Sequence, residues 1–200
     1  MMIDLDYRTF KLFPTPLHYI NLQNFNDTRD KLIKYAYDLK SKDDGRNTSN
    51  IGGFQSQYIF INDNKDDLHN ILINTLSNIP SFKTGLNMKC IAWVNISPPN
   101  AFHVRHCHPD CDVAGVLWIK APKNSGSIVF ASPFEYMSYR EIYSYTDVFK
   151  KENKYYESYS YPPEEGAMIL FPSHLQHHVD VNKSTEDRIS ISFNINILDM

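Results

Sequence analysis

The stretch Arg188-Ile189-Ser190-Ile191-Ser192-Phe193-Asn194-Ile195-Asn196-Ile197 alternates polar and apolar side chains over ten residues. That period of two belongs to a β-strand with one polar and one greasy face. Taken alone, the polar face suits water as well as it suits an interior site, because antiparallel sheets are commonly solvated on one side. Working back toward the N-terminus, short β-rich runs recur at 167–171, 127–131, 113–120 and 90–96, separated by turn-forming clusters. The first half reads differently. Asn26 and Asp27 can cap a helix carrying Leu32, Ile33, Ala36, Tyr37 and Leu39 at roughly helical spacing, and Asp66 and Asp67 open a second with Leu68, Ile71, Leu72 and Leu76. The expectation is a mainly β fold with flanking helices. Residues 1–200 form one domain, with 1–86 as helical and extended support and 87–200 as an antiparallel β core.

Composition bounds the function. A chain of 200 residues with 42% hydrophobic residues, only 7 Gly and no low-complexity run can bury a core of its own, which excludes disordered and collagen-like architectures. Twenty basic against 23 acidic residues leave a net charge of −3, so there is no basic field to hold nucleic acid or an anionic membrane. No run approaches the roughly 20 apolar residues of a membrane span, and the acidic start at 1–7 does not resemble a secretory signal. Cys90, Cys107 and Cys111 form an odd set without zinc-type spacing and are expected to be free thiols in a reducing compartment. The expected location is therefore cytoplasmic, with no nucleic-acid or membrane partner.

Six of the eight histidines fall into two groups, His103, His106, His108 and His174, His177, His178. Two positions apart on a strand, His106 and His108 point to one face and can reach a common metal. Asp110 and Asp112 add hard carboxylate oxygens, and such a mixed set suits non-haem iron or manganese better than structural zinc. The second group follows the run 167–171, where Pro172 ends the strand. The polar turn Asn182-Lys183-Ser184-Thr185 predicts a hairpin that brings Arg188 beside His177. Arg188 and Ser190 on one face offer a planar fork and a hydroxyl, a match for a carboxylate held at two points. The competing reading is a surface ion pair of Arg188 with Glu186 or Asp187.

The segments Trp93-Val94-Asn95-Ile96, His106-Cys107-His108-Pro109, Ala114-Gly115-Val116, Leu170-Phe171-Pro172-Ser173, His177 and Arg188-Ile189-Ser190-Ile191-Ser192-Phe193-Asn194 together resemble a family of 2-oxoglutarate and Fe(II) dependent oxygenases of bacteria and their phages. Leu12-Phe13-Pro14-Thr15-Pro16 and Gly52-Gly53-Phe54-Gln55-Ser56 are similar to the same family. The resemblance implies a double-stranded β-helix, a jelly-roll barrel of the prolyl-hydroxylase-like superfamily. It implies a dioxygenase that binds Fe(II), takes 2-oxoglutarate as cosubstrate and works in a bacterial or phage-infected cell.

Carried over position by position, His106 takes the first ligand place, His108 the place where relatives carry Asp or Glu, and His177 the distal place. The triad is then three-His, with Asp110 as the alternative carboxylate ligand. Arg188 matches the arginine that grips the far carboxylate of 2-oxoglutarate, and Ser190 the hydroxyl that follows it. Asn95 and Trp118 are further cosubstrate-contact candidates, Trp118 standing near a position where relatives commonly have Tyr. No separate acid or base is needed, since metal and cosubstrate carry the chemistry. The Tyr-rich segment 136–161 is a candidate lid.

Two other readings compete with the oxygenase. One is a metal cupin using His106, His108, Asp112 and a distal His, which gives no reason for Arg188. The other is a non-catalytic jelly-roll binding module. The substrate, peptidyl or small-molecule, and any homo-oligomer are not legible in the sequence.

Overall fold

A computed structural model describes residues 11, 13–63, 65–134 and 141–198. Its strands are β1 (His18–Asn21), β2 (Asn50–Ile51), β3 (Phe54–Gln55), β4 (Ile59–Phe60), β5 (Met88–Ser97), β6 (Phe102–His106), β7 (Val113–Lys120), β8 (Ile128–Ala131), β9 (Ser158–Tyr161), β10 (Ala167–Pro172), β11 (His177–Val179) and β12 (Arg188–Ile197). The helices are α1 (Asn26–Lys40), α2 (Asp67–Ser77), α3 (Glu141–Ser144) and α4 (Asp147–Asn153). Leu12 and Tyr136, which entered the sequence reading, lie outside the described residues.

Two sheets face each other. One runs β1-β10-β7-β12-β5-β3 with β4 also on β5, and the other β2-β6-β11-β8-β9. This is the jelly-roll arrangement of the double-stranded β-helix, but the expected barrel closure is not made. The sheets stay separate because the chain changes sheet at corners that cannot continue a ladder. Between β5 and β6, Pro98 and Pro99 donate nothing, and Asn100 takes a left-handed φ of 71°.

The ten-residue alternation of β12 explains the layering. Ile189, Ile191, Phe193 and Ile195 join Leu117, Met168, Leu170 and Val94 in a core against Leu32 and Ala36 of α1 and Leu68, Leu72 and Leu76 of α2. The opposite face looks into the space between the sheets, where Trp118, Val116 and Phe171 meet Ile128 and Phe130. The Arg188 end of the polar side of β12 is therefore shut off from water, while Ser192, Asn194 and Asn196 stay half-buried. Arg188 is 3% and Ser190 7% exposed.

Helix α2 starts as expected: Asp66, extended, accepts a hydrogen bond from the His69 N–H at 2.8 Å. In α1 the anticipated cap is displaced by one residue. Phe25 holds the cap position without a side-chain hydrogen bond, and its ring is buried against Gly166. Packing, not a polar cap, sets that start.

The close approach of β7 to β12 depends on Gly115, registered opposite Phe193. A Cβ there would come within 2.5 Å of the Phe193 Cε2 and 2.9 Å of the Ile169 carbonyl oxygen. Gly115→Ala is expected to destabilise the fold by about 1–3 kcal/mol through overpacking, as read by urea denaturation.

The predicted hairpin from His177 to Arg188 is corrected. β11 pairs with β6 and β8 in the smaller sheet, whereas β12 pairs with β5 and β7 in the larger one. The polar turn between them is a crossing from sheet to sheet, organised by Asn182, which is 0% exposed. Its Nδ2 donates to the carbonyls of Ser97 and Glu186, both at 2.8 Å, and its Oδ1 accepts from the Ser184 N–H at 3.0 Å. Asn100 N–H donates to Asn182 O at 2.8 Å and Asn182 N–H to Ala101 O at 2.9 Å, so the two corners lock together. Arg188 and His177 consequently face each other across the sandwich instead of along one sheet.

The described part of the Tyr-rich segment holds α3, α4 and β9. β9 is an edge strand on β8, and Tyr161 stacks on Trp118 at 6.0 Å. β9 thus extends the smaller sheet.

Candidate metal centre

β6 and β11 are registered with His106 opposite His177, so two imidazoles 71 positions apart in the chain sit side by side, their ring centroids 4.4 Å apart. His108 lies beyond the end of β6, not on it as the strand-pair reading expected. Its N–H donates to the Ser173 carbonyl at 2.9 Å, which turns its ring to within 5.2 Å of each of the other two. One nitrogen from each ring lies within 4.8 Å of the others.

The orientation of two of these rings is fixed from behind. His106 Nδ1 meets the Val104 carbonyl at 2.7 Å and His177 Nδ1 the Leu175 carbonyl at 2.9 Å. A carbonyl only accepts, so Nδ1 carries the proton and the Nε2 lone pair is left for the cluster. Burial pushes His177 down to about 3 and His108 to about 4, with the neighbouring imidazoles adding to the shift, and lowers His106 as well. All three are neutral nitrogen donors at physiological pH, the state a divalent cation requires.

No carboxylate joins this group among the described residues. Asp110 is exposed in the turn after His108, its carbonyl accepting from Asn196. Asp112 accepts the Ile197 N–H at 2.7 Å. Of the second histidine group only His177 enters: His174 is exposed and His178 lies 3.4 Å from Asp180. Cys90, Cys107 and Cys111 are free thiols.

Arg188 is not a surface ion-pair residue. Glu186 pairs with Lys120 and Asp187 accepts from Tyr37. The Arg188 guanidinium instead donates to the carbonyls of Ser125 and Gly126 at 2.7 and 3.1 Å and to Ser97 Oγ at 3.1 Å. Burial lowers it to about 10, offset in part by Asp180, and no carboxylate pairs with it among the described residues. A Cβ on Gly126, whose φ is +94°, would clash with the Asp180 carbonyl group and lie 3.0 Å from Nη1, so any side chain there would crowd the guanidinium. Ser190 follows on the same face, registered opposite Asn95 and Trp118. Asn95 donates to Ser192 Oγ at 3.0 Å and leaves its buried Oδ1 without a partner.

All of these line one cavity between the sheets, with the three histidines. Three neutral nitrogens near a buried cation that has no carboxylate ion pair among the described residues fit a divalent metal together with a dicarboxylate. The cavity also takes in residues to which the sequence reading gave no site role: His103, 8% exposed with Nδ1 3.3 Å from Ser49 Oγ, and Trp93, stacked on His108 at 5.8 Å. Trp93 could have been found from the β5–β12 register, which sets it opposite Ser192 on the polar face.

The family described as "Putative 2OG-Fe(II) oxygenase" matches residues 91–194, from the middle of β5 into β12. No curated protein sequence matches the chain. Among solved structures, a Pseudomonas putida prolyl-4-hydroxylase is similar with a TM-score of 0.61 at 16% identity, covering 90% of this chain and 92% of its own. HygX from Streptomyces hygroscopicus, with nickel and 2-oxoglutarate bound, gives 0.62 at 8% identity over 93% and 84%. EctD from S. alaskensis with bound Fe gives 0.59 at 15% over 90% and 72%. At such identities these structures support the fold.

Proposed function

Since the chain belongs to the 2OG-Fe(II) oxygenase family, an enzyme family that uses Fe(II) and 2-oxoglutarate, we propose that it is a hydroxylase-type member whose iron is held by His106, His108 and His177. The observation that carries this reading is the pairing, in one cavity, of three neutral imidazoles with a buried arginine that has no carboxylate of its own. In this reading Arg188 donates to the far carboxylate of 2-oxoglutarate, with Ser190 beside it and Asn95 and Trp118 shaping the walls. Bound together, the metal and cosubstrate supply oxidative decarboxylation: 2-oxoglutarate and O2 give succinate and CO2 while one oxygen atom goes to a C–H of the substrate. The protein's part is to orient both groups and exclude water. The substrate is a small molecule or peptide. No helix among the described residues is long and apolar enough to cross a membrane, and we place the enzyme in the cytoplasm, acting as one domain.

The test is an anaerobic Fe(II) titration with and without 2-oxoglutarate. A visible charge-transfer band that needs both components is expected, and its absence at saturating concentrations would reject the assignment.

The ligand set is tested separately. His108→Ala should lose most of the iron retained after gel filtration, while Asp110→Ala should stay near wild type, because the Asp110 side chain is outside the cluster. The reverse pattern would place a carboxylate in the triad.

A further inference from the structure

Outward from the histidines, a stack begins at the cavity-lining Trp93 and continues beyond the lining. Trp93 lies on His108 at 5.8 Å, Tyr58 meets Trp93 edge-on at 5.9 Å, and the Arg46 guanidinium lies over the Tyr58 ring with its carbon 3.7 Å from the centroid and 6.0 Å from that of Trp93. Trp93 is buried, whereas Tyr58 is 52% exposed, so the stack leads from the metal cluster to solvent.

Arg46 is fixed at its Nε edge and only half-buried. Its Nε donates to the Ser56 carbonyl at 2.9 Å, fixing the plane against Tyr58. Neither terminal nitrogen has an acceptor, and no carboxylate pairs with it among the described residues. Of the two acids just before it, Asp44 is exposed and makes no ion pair with it, and Asp43 is engaged elsewhere: its Oδ1 accepts the Gly45 N–H at 2.8 Å and Gln57 Nε2 at 3.5 Å. An arginine that only braced its loop would need the Nε contact alone. Here two parallel donors remain, already immobilised by the ring beneath them, in the geometry that receives a carboxylate at two points.

This cation is distinct from Arg188. Along β12 the pair Ser192–Trp93 lies four residues from the pair Arg188–Ser97, about 13 Å at strand rise. Arg188 lines the cavity itself, while Arg46 sits outside the lining, over the outer side of the Tyr58–Trp93 stack.

We propose that Arg46, on the platform of Tyr58 and Trp93, binds a carboxylate of the primary substrate, and that the substrate class is a small carboxylic acid with a short apolar or flat body. The inference rests on the oxygenase reading of the neighbouring metal site. The carboxylate at Arg46 would lay the body across the Trp93 edge and present its far end to the metal. The apolar rings between the two ends favour hydrocarbon over a second charge.

The test uses the full chain loaded with Zn(II) in place of iron and saturated with 2-oxoglutarate, so that Arg188 is occupied. Benzoate and its neutral counterpart benzamide serve as probes in ligand-observed NMR titrations. Benzoate should bind at least roughly tenfold more tightly than benzamide, the scale of a charge-assisted fork. Arg46→Gln should erase the preference, and Arg46→Lys, which keeps charge but not the fork, should retain part of it. Tyr58→Leu should weaken both probes, since the platform is lost. Thermal melting identifies any variant that does not fold, in which case Arg46→Lys and Tyr58→Leu decide. Equal affinity for the two probes, or a preference that survives Arg46→Gln, overturns the proposal. The Fe(II) and 2-oxoglutarate band of the wild-type protein is read in parallel: its absence rejects the oxygenase reading, whereas its presence with no benzoate preference rejects only the carboxylate subsite.

Discussion

Arg188→Met is expected to raise the 2-oxoglutarate concentration needed for succinate formation by more than roughly a hundredfold and nearly to eliminate turnover. The guanidinium is the cation at the closed end of the cavity, and without it a carboxylate there is buried and unpaired, a penalty of about 3–5 kcal/mol. The Ser125 and Gly126 carbonyls also lose their donor. Arg188→Lys keeps the charge and loses the fork, so a smaller rise of about 10- to 150-fold is expected, equivalent to about 1.5–3 kcal/mol. Iron content should remain near wild type in both, because the guanidinium belongs to the other end of the β12 face from the His108 contact with Trp93. Calorimetry of 2-oxoglutarate binding, alongside metal analysis, reads the two effects separately. Normal 2-oxoglutarate dependence in both variants would remove Arg188 from the cosubstrate site.

His177→Gln should abolish tight iron binding while preserving most of the fold. Losing a group that merely supports a metal ligand costs about 10- to 100-fold in metal affinity, so losing a ligand itself should exceed roughly a hundredfold. Gln nearly keeps the volume that the ring fills beside Phe171 and Phe130, at 4.8 and 5.8 Å. His177→Ala would add a cavity and confound metal loss with instability. The decisive comparison is iron retention against melting temperature. A variant that melts like wild type and still holds iron would exclude His177 from the site.

Much of this architecture was readable from residues. The alternation in β12 and the β-branched runs of β5, β7 and β10 announce themselves because each is long and one-patterned, and Asp66 marks α2 through a local hydrogen bond. The strands that complete the smaller sheet were harder. β2 and β11 have two and three residues, too few for a period to register, and their pairing is decided by distant partners. The crossing at Asn182 reads as a hairpin turn because its Asx and Ser hydrogen bonds are the same local chemistry. Only tertiary contact with the 97–101 corner sends the next strand to the other sheet. His106 and His177 could be singled out through clustering and resemblance, whereas nothing local gives Arg46 or Trp93 a site role: Trp93 gains one from its place on β5 beside His108, and Arg46 from the loop before β2 that sets it over Tyr58.

The register of His106 against His177 has a consequence for how metal is gained and lost. Two of the three nitrogens are spaced by a backbone ladder that forms whether or not an ion is present, so the entropy of gathering them is settled during folding and is not charged to the metal. The protein without metal should therefore keep its secondary structure and still melt cooperatively, at a temperature lowered only by the loss of the ion's binding free energy, in contrast to small domains that unfold on chelation. His108, carried beyond the strand end, is the ligand left to adjust. Exchange of the ion is then expected to begin at that ring, as a reversible local event that leaves the sandwich intact.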